Sequence, residues 1–544
     1  MAVFEKEIHS KLLLDDTDPL TTHFLSTQIV DNHVEYVIRV HRHSADKKWN
    51  VSRRYNDFVR LHSYLSASKL QCLQLPPKKL LGNMDREFIM QRQAALQEYL
   101  EYLLTSPLRH SIYIKRFLDP ENYCQPFHEQ SLQHVSMVLR SDPKFEILKP
   151  MDDIGWRLRK HYFTARSSGG DKGDQLLLCW TPHGPDQHLD TRQLSKIYPY
   201  LEPCLLTSMG EAGGAVIRKF YPEGSLRDAI YGSKPMDSWI CKLSHSDKAK
   251  PFSEQEIARL GARVLDTLIF LADKGLHYGH LHPGNIVVTN EGLVRLLDLE
   301  NSLLGLPCLY RPLLVHLRKV YTPEAVDAYC LGHTLYEMAF GRPLTTPTCE
   351  SSPDTPYECS SLLWLLLESL LGTQACRKGL PSLVELRTHP FFSGIPRIAS
   401  GSYPLQVSSQ LRQALTASYS KAEARLREDQ KKIRQEKRHV RVQQHLIQEE
   451  QQQRKGGRPP RPHKAAATSH QTHAVVSAVN GKSPERSDSP TSTNTSGGTL
   501  TPPPPTCAAP ADGARPTDGE GLSALLGSIC NFDKGSLRST GGSR

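Results

Sequence analysis

Val34, Tyr36, Ile38 and Val40 alternate along one short stretch, and Trp49 and Val51 continue the alternation on the next. A period of two puts one face on a core and the other in water, which a strand satisfies and a helix does not. Asp46-Lys47-Lys48 between the runs reads as a turn. From Asp85 to Tyr102 the period becomes helical, with Phe88, Ala95, Leu96, Tyr99, Leu100 and Leu103 on one side. The link between the two patterns, Leu75-Pro76-Pro77-Lys78-Lys79, is too rich in proline to belong to either.

One such unit cannot account for 544 residues, so a second domain and a tail are expected. After Lys464 the chain is dominated by Ser, Thr, Pro, Gly and Ala and has little to bury. The formal charge of +10 is concentrated between Lys421 and Lys464, where fourteen Lys or Arg face six Asp or Glu. That bias is local and suits an acidic partner of one segment. The twelve cysteines include no C-x-x-C pair, so neither a structural metal nor a disulfide framework is expected. Residues 1–16 are charged and lack an apolar targeting core, and the run Leu362 to Leu367 ends at Glu368, so membrane contact is expected to be peripheral.

Arg53-Arg54-Tyr55-Asn56-Asp57-Phe58, followed by Leu-Pro-Pro-Lys and then by Arg92, resembles the ordered signature of the phox-homology (PX) domain. The resemblance implies a three-stranded antiparallel sheet with helices over residues 14–125 and a site for a phosphoinositide headgroup. Carried over by position, Arg54 meets the 3-phosphate, Tyr55 stacks under the inositol ring, Lys78 meets the 1-phosphate and Arg92 the ring hydroxyls. The default lipid it implies is phosphatidylinositol 3-phosphate. A planar guanidinium grips phosphate bidentately while lysine acts as a mobile point charge, which suits these assignments.

Residues 136–393 resemble the bilobal protein-kinase fold. Tyr278-Gly279-His280-Leu281-His282-Pro283-Gly284-Asn285 stands in the slot of H-R-D-L-x-x-x-N. The asparagine is kept, but His280 replaces the catalytic aspartate and His282 the usual lysine. The metal-binding triplet reads Asp298-Leu299-Glu300, without its glycine. The phosphate loop expected near Ile154 to Arg166 holds one glycine, and the strand lysine is replaced in the run Leu177-Leu178-Cys179-Trp180, by Trp180 in this alignment. General-base catalysis contributes about 10² to 10⁴ in rate, so the deficits accumulate toward little turnover. No cofactor is required by this reading. Weak Mg-ATP binding by Asn285 and Asp298 and a purely structural role for both stay open.

Residues 407–455 are expected to form a basic helix whose thin apolar face favours a solvated state, and residues 456–520 a disordered Pro/Ser/Thr-rich linker. In residues 521–544, Leu525, Leu526, Ile529 and Phe532 form an amphipathic stripe followed by Leu537-Arg538-Ser539-Thr540, similar to the actin-binding WASP homology-2 motif. The whole order resembles PX domain-containing kinase-like proteins. The resemblance implies a cytoplasmic α+β multidomain adaptor placed peripherally on endosomal or plasma membrane, acting in trafficking, with actin and membrane-protein cargo as partners and no nucleic acid. Two alternatives stand beside it: a weakly active Ser/Thr kinase and an actin-monomer regulator.

Overall fold

The computed structural model describes residues 13–42, 47–67, 72–79, 84–123, 126–141, 143–151, 154–169, 175–186, 204–210, 212–243, 248–351, 359–397 and 407–455. Strands β1 (Leu20–Val30), β2 (His33–Arg42) and β3 (Lys47–Arg54) form an antiparallel sheet in the order β1-β2-β3. Asp31 and Asn32 sit at φ 43° and 63° in the two-residue β1-β2 turn, a conformation that Asp and Asn tolerate better than other side chains. Tyr36, Ile38 and Val40 are buried as their alternation predicts, against Phe58 of α1 (Tyr55–Ser66) and Leu96, Tyr99, Leu100 and Leu103 of α2 (Arg86–Thr105). The expected turn at Asp46-Lys47-Lys48 needs correction, because Lys47 and Lys48 already pair with Arg42 and His41 as the start of β3.

A short turn of 3₁₀ helix, Pro107–His110, leads into α3 (Ile112–Leu118), α4 (Pro120–Tyr123) and α5 (Pro126–Ser141). Helix α5 lies across a second sheet, β4 (Phe145–Met151), β5 (His161–Ser167), β6 (Leu176–Pro182), β7 (Cys204–Met209) and β8 (Gly213–Lys219), in the order β4-β5-β6-β8-β7. Its Leu132, Val135 and Val138 share a core with Phe163, Leu178, Trp180 and Ile217. The second module therefore begins at α5, about ten residues before the expected start at 136.

The large lobe follows: α6 (Leu226–Tyr231), α7 (Trp239–Leu243), α8 (Glu254–Asp273), the hairpin of β9 (Ile286–Val288) and β10 (Val294–Leu296), α9 (Glu300–Leu303), α10 (Arg311–Leu314), α11 (Pro323–Phe340), α12 (Ser361–Leu371), α13 (Thr373–Lys378), α14 (Leu383–Arg387) and α15 (Ser409–Lys455). Helix α11 is its axis. Thr322 caps α11 by accepting from the Ala325 N–H, Pro323 fits the first turn, and Gly341 closes the helix at φ 64°. A Cβ at Gly332 would stand 2.9 Å from Leu370 and Leu371, so glycine is what lets α11 and α12 cross closely.

Helix α15 departs from expectation in its first half. Leu415 and Leu426 lie in the same core cluster as α8 and α11, and the Gln430 amide donates to the carbonyls of Leu314 (3.0 Å) and Val320 (2.9 Å). That half is a packed element, not a solvated helix. The segment His439–Gly521 forms a unit of its own, in which the described helical side chains to Glu449 are exposed.

Ahead of β1, a short stem ties the modules together. Asp15 takes Arg311 at 3.0 Å and also Arg425, Arg311 pairs with Asp429, Arg425 reaches Asp186 at 2.8 Å, and Asp16 takes Arg157 at 2.7 Å. Burial alone would raise the Asp15 carboxyl, but the Arg311 and Arg425 guanidiniums and the Thr17 hydroxyl bring it down to about 2. A depressed carboxyl stabilises the fold above its unfolded value and loses that stabilisation as pH falls through its folded value. Asp15 therefore contributes about 2 kcal/mol that is fully present above about pH 4 and disappears toward pH 2. Denaturant titrations across this range should show wild type losing stability more steeply than Asp15→Asn, which starts lower at pH 7 and converges with wild type in acid.

Candidate functional site

Two sites follow from these elements. In the first module, β3 ends at Arg54, which precedes α1, and the Asp57 carboxylate closes the helix start by accepting the Arg54 backbone N–H at 2.9 Å. The Arg54 side chain stays about half exposed, with its Nε 3.6 Å from Asp57. Tyr55 turns inward and donates its phenol to the Pro76 carbonyl. Arg92, one-third of the way along α2, is buried; it donates to the Pro77 carbonyl at 3.1 Å, and its guanidinium carbon lies 4.2 Å from the Tyr55 ring and 4.3 Å from the Phe88 ring. Among the described residues the Arg92 Nε has no acceptor.

Two of the four residues singled out in the sequence, Tyr55 and Arg92, thus meet directly; half-exposed Arg54 is the chain neighbour of Tyr55, and exposed Lys78 lies on the adjoining Pro-Pro segment. Sequence reading missed the supports. Phe88 forms the second wall of the Arg92 sandwich, Lys79 caps that ring at 4.6 Å, and the Tyr36 phenol, raised by burial, faces Arg92. Aromatic rings spaced to hold a guanidinium were the available signal.

The second site is the cleft between the lobes, lined among others by Tyr162, Leu177, Arg218, His282, Asn285 and Asp298. Strand register decides what faces it. Leu177 pairs with Arg218 and Cys179 with Tyr162, so these four share the cleft face, whereas Trp180 is on the opposite face under α5. The residue on the cleft side is therefore Cys179, one position before Trp180, and burial pushes its thiol up to about 11.

A lysine does reach the cleft, from the neighbouring strand. Lys160 stands immediately before β5, and its ammonium lies 2.9 Å from Asp298 and 3.1 Å from Glu300. Arg218 takes the other Asp298 oxygen at 2.8 Å. Burial opposes the charged forms, yet the opposed charges outweigh it, keeping Asp298 ionised well below the usual carboxylate range and Lys160 protonated. Asp298 sits at φ 62°, a left-handed conformation that Asp tolerates better than most side chains. Asn285 spends its amide on the His280 carbonyl at 3.0 Å. Magnesium needs free oxygen ligands in near-octahedral array. The Asn285 bond leaves its amide oxygen free, but with both Asp298 oxygens already on cations the carboxylate as placed does not fit that ion.

The catalytic-loop backbone is nonetheless kept in place. Asp327 on α11 accepts the N–H groups of Tyr278 (3.2 Å) and Gly279 (2.6 Å), and the Tyr278 phenol donates to the Leu297 carbonyl. His280 and His282 are buried, which holds both imidazoles neutral, with Arg157 and Arg227 respectively adding to the effect. A base so far below its ordinary value is weak. Instead of glycines at the phosphate-loop position, Arg157 donates to the Pro307 carbonyl and pairs with Asp16, and Trp156 packs edge-on to His110 of the first module at 6.0 Å.

The model of the PX domain matches residues 41–121. Proteins described as "PX domain-containing protein kinase-like protein" from rat and mouse are each 41% identical over 455 residues, covering 82% of this chain and 77% of theirs. The chain belongs to the PX domain-containing protein kinase-like family. Two further relatives match shorter parts: the Slowpoke-binding protein of Drosophila melanogaster, 33% identical over 225 residues (38% of this chain, 42% of it), and the probable inactive serine/threonine-protein kinase slob1 of Dictyostelium discoideum, 30% identical over 293 residues (47% and 48%). In this PX domain-containing kinase-like chain, the WASP homology-2-like residues Leu525, Leu526, Ile529, Phe532, Leu537 and Arg538, with the linker before them, lie outside the described residues.

Lys160→Met leaves Glu300 without its cation and half-strips Asp298, and breaking a buried pair in this way costs about 3 to 5 kcal/mol. Thermal denaturation should show the loss. In parallel assays with Mg-ATP, neither this variant nor wild type is expected to transfer phosphate above an Asp298→Ala background.

Proposed function

We propose that this chain is a peripheral membrane adaptor that reads phosphoinositide headgroups through Arg54, Tyr55, Lys78 and Arg92 and uses its kinase-like module to hold a protein rather than to transfer phosphate. The observation that carries the reading is the preformed cage around Arg92. A buried guanidinium clamped between Tyr55 and Phe88, with one N–H lacking an acceptor, is prepared for oxygen atoms of a ligand arriving beside exposed Arg54 and Lys78. Ordering such groups before binding removes much of the entropic cost of association.

Phosphatidylinositol 3-phosphate is the lipid to test first, and endosomal or plasma membrane the proposed location. No helix among the described residues is long and apolar enough to cross a membrane. Handling membrane-protein cargo is the corresponding role, and residues 521–544 are proposed to add actin contact. A chain ending at Lys455 is expected to lose binding to actin monomers, and unchanged binding would remove that part. The weakly active kinase is the second reading, because Lys160 restores a cation to the cleft. It requires magnesium to displace Lys160 from Asp298, and the transfer assay above tests it.

Each charge-assisted phosphate contact is worth about 1.5 to 3 kcal/mol, or roughly ten- to a hundredfold in affinity. Co-sedimentation with vesicles containing phosphatidylinositol 3-phosphate should therefore weaken by at least about tenfold for Arg54→Ala and for Lys78→Ala, with melting unchanged because both side chains are substantially exposed. Equal binding by wild type and Arg54→Ala would end the proposal.

A further inference from the structure

The headgroup cage and the kinase-like module lie at opposite ends of the PX fold, along two independent elements. On the sheet, Arg54 ends β3 and pairs with Glu35, while Lys47 at the other end of β3 pairs with Arg42, whose own neighbour on β1 is Leu20. Leu20 directly follows the stem that carries Asp15 and Asp16 into Arg311, Arg425 and Arg157. From Arg54 to Lys47 is about 24 Å of extended chain. On the helix, Arg92 sits in the first third of α2, whereas the far end at Thr105 runs into Pro107–His110, where His110 meets Trp156. Thirteen helical steps lead from Arg92 to Thr105, about 20 Å.

The junction at the far end is not a flexible linker. Asp15, Arg157, Arg311 and Asp429 are buried and Asp16 is half-buried, and the ion pairs among them join the stem to the second sheet, to α10 and to α15. Separating the modules would strand several charges in a low-dielectric interior, which is costly enough to keep them together. A linker of the usual Gly/Ser or charged kind would allow the modules to tumble independently; this stem fixes their orientation.

We infer that the PX fold acts as a rigid spacer, holding the kinase-like module about 20 Å beyond the headgroup cage on the side away from the bilayer. This rests on the headgroup reading of the first site. The spacing selects the partner. A soluble protein reaches the kinase-like module freely, while a protein embedded in the same bilayer reaches it only through an extended segment longer than about six residues. A partner confined to the headgroup layer is excluded.

The test uses the full chain. Spin labels carried on noncanonical amino acids at Ile29 and Val384, both exposed, should give one narrow distance distribution in solution. Asp15→Arg combined with Asp16→Arg should broaden it severalfold in width. On vesicles containing phosphatidylinositol 3-phosphate and an acceptor lipid, a fluorescent donor at exposed Met90 should transfer strongly and a donor at Val384 several times less. A broad distribution in the wild-type chain, or equal transfer from both donors on bound protein, overturns the spacer while leaving the headgroup reading intact. Failure to bind the vesicles at all overturns the headgroup reading, and the membrane orientation falls with it.

Discussion

Arg311 joins the PX stem to the kinase-like module and the first half of α15. Its guanidinium holds Asp15, from the stem ahead of the PX fold, and Asp429, from the last helix, so three segments far apart in sequence meet on one planar cation. Lysine could not do this, because a point charge lacks the fixed fork that receives two carboxylates from different directions. Arg425 then extends the network by sharing the same Asp15 oxygen, Oδ2, and taking Asp186 from the end of the small-lobe sheet region. Desolvating this many charges is unfavourable by itself, and the cost is offset at the centre, where Asp15 meets Arg311, Arg425 and the Thr17 hydroxyl together. What the network yields is position more than stability: it fixes where the stem enters and therefore where the PX fold stands.

The same substitution of protein charge for an external group shapes the cleft. In a working kinase, magnesium and phosphates satisfy the aspartate after the catalytic loop. Here Lys160 and Arg218 bracket Asp298, and Glu300 balances the second positive charge, so the cluster is close to neutral by itself. The two lobes are joined by internal ion pairs at the place where a nucleotide would otherwise bridge them. Retention of Asn285 and Asp327 follows from their backbone bonds, since the Asn285 amide holds the His280 carbonyl and Asp327 holds two successive N–H groups. Both are needed for the loop to keep its shape whether or not chemistry happens there.

Much of this was readable from the chain, and the parts that were not have physical reasons. The alternation at Val34 to Val40 and the helical stripe ending at Leu103 are local periodicities: Tyr36, Ile38, Val40, Leu96, Tyr99, Leu100 and Leu103 are buried as expected, whereas Phe88 and Ala95 stand outside the core, Phe88 against Arg92 and Lys79. Lys160 was invisible because its role depends on which strand lies beside β6, a long-range pairing that no local spacing encodes. Alignment places Trp180 at the lysine position because a degenerate run cannot fix a frame of one residue, and one residue is the whole difference between the two faces of a strand. The overwhelmingly charged composition of α15 predicts a solvated helix. Its burial rests on a few residues, Leu415, Leu426 and Gln430, with Arg425 and Asp429 paired rather than hydrated. Average hydrophobicity misjudges a helix whose charges are consumed by partners.

The PX cage and the cleft therefore differ in kind, although both are built from arginine, lysine and aromatic rings. In the cleft each buried cation named above already has a carboxylate, so an incoming anion must break an existing pair to gain one. Around Arg92 the guanidinium is held by a carbonyl and two ring faces, partners that leave its positive charge uncompensated. A phosphorylated ring approaching that point gains an interaction without losing one. Electrostatics thus favours anion binding at the first site and internal closure at the second.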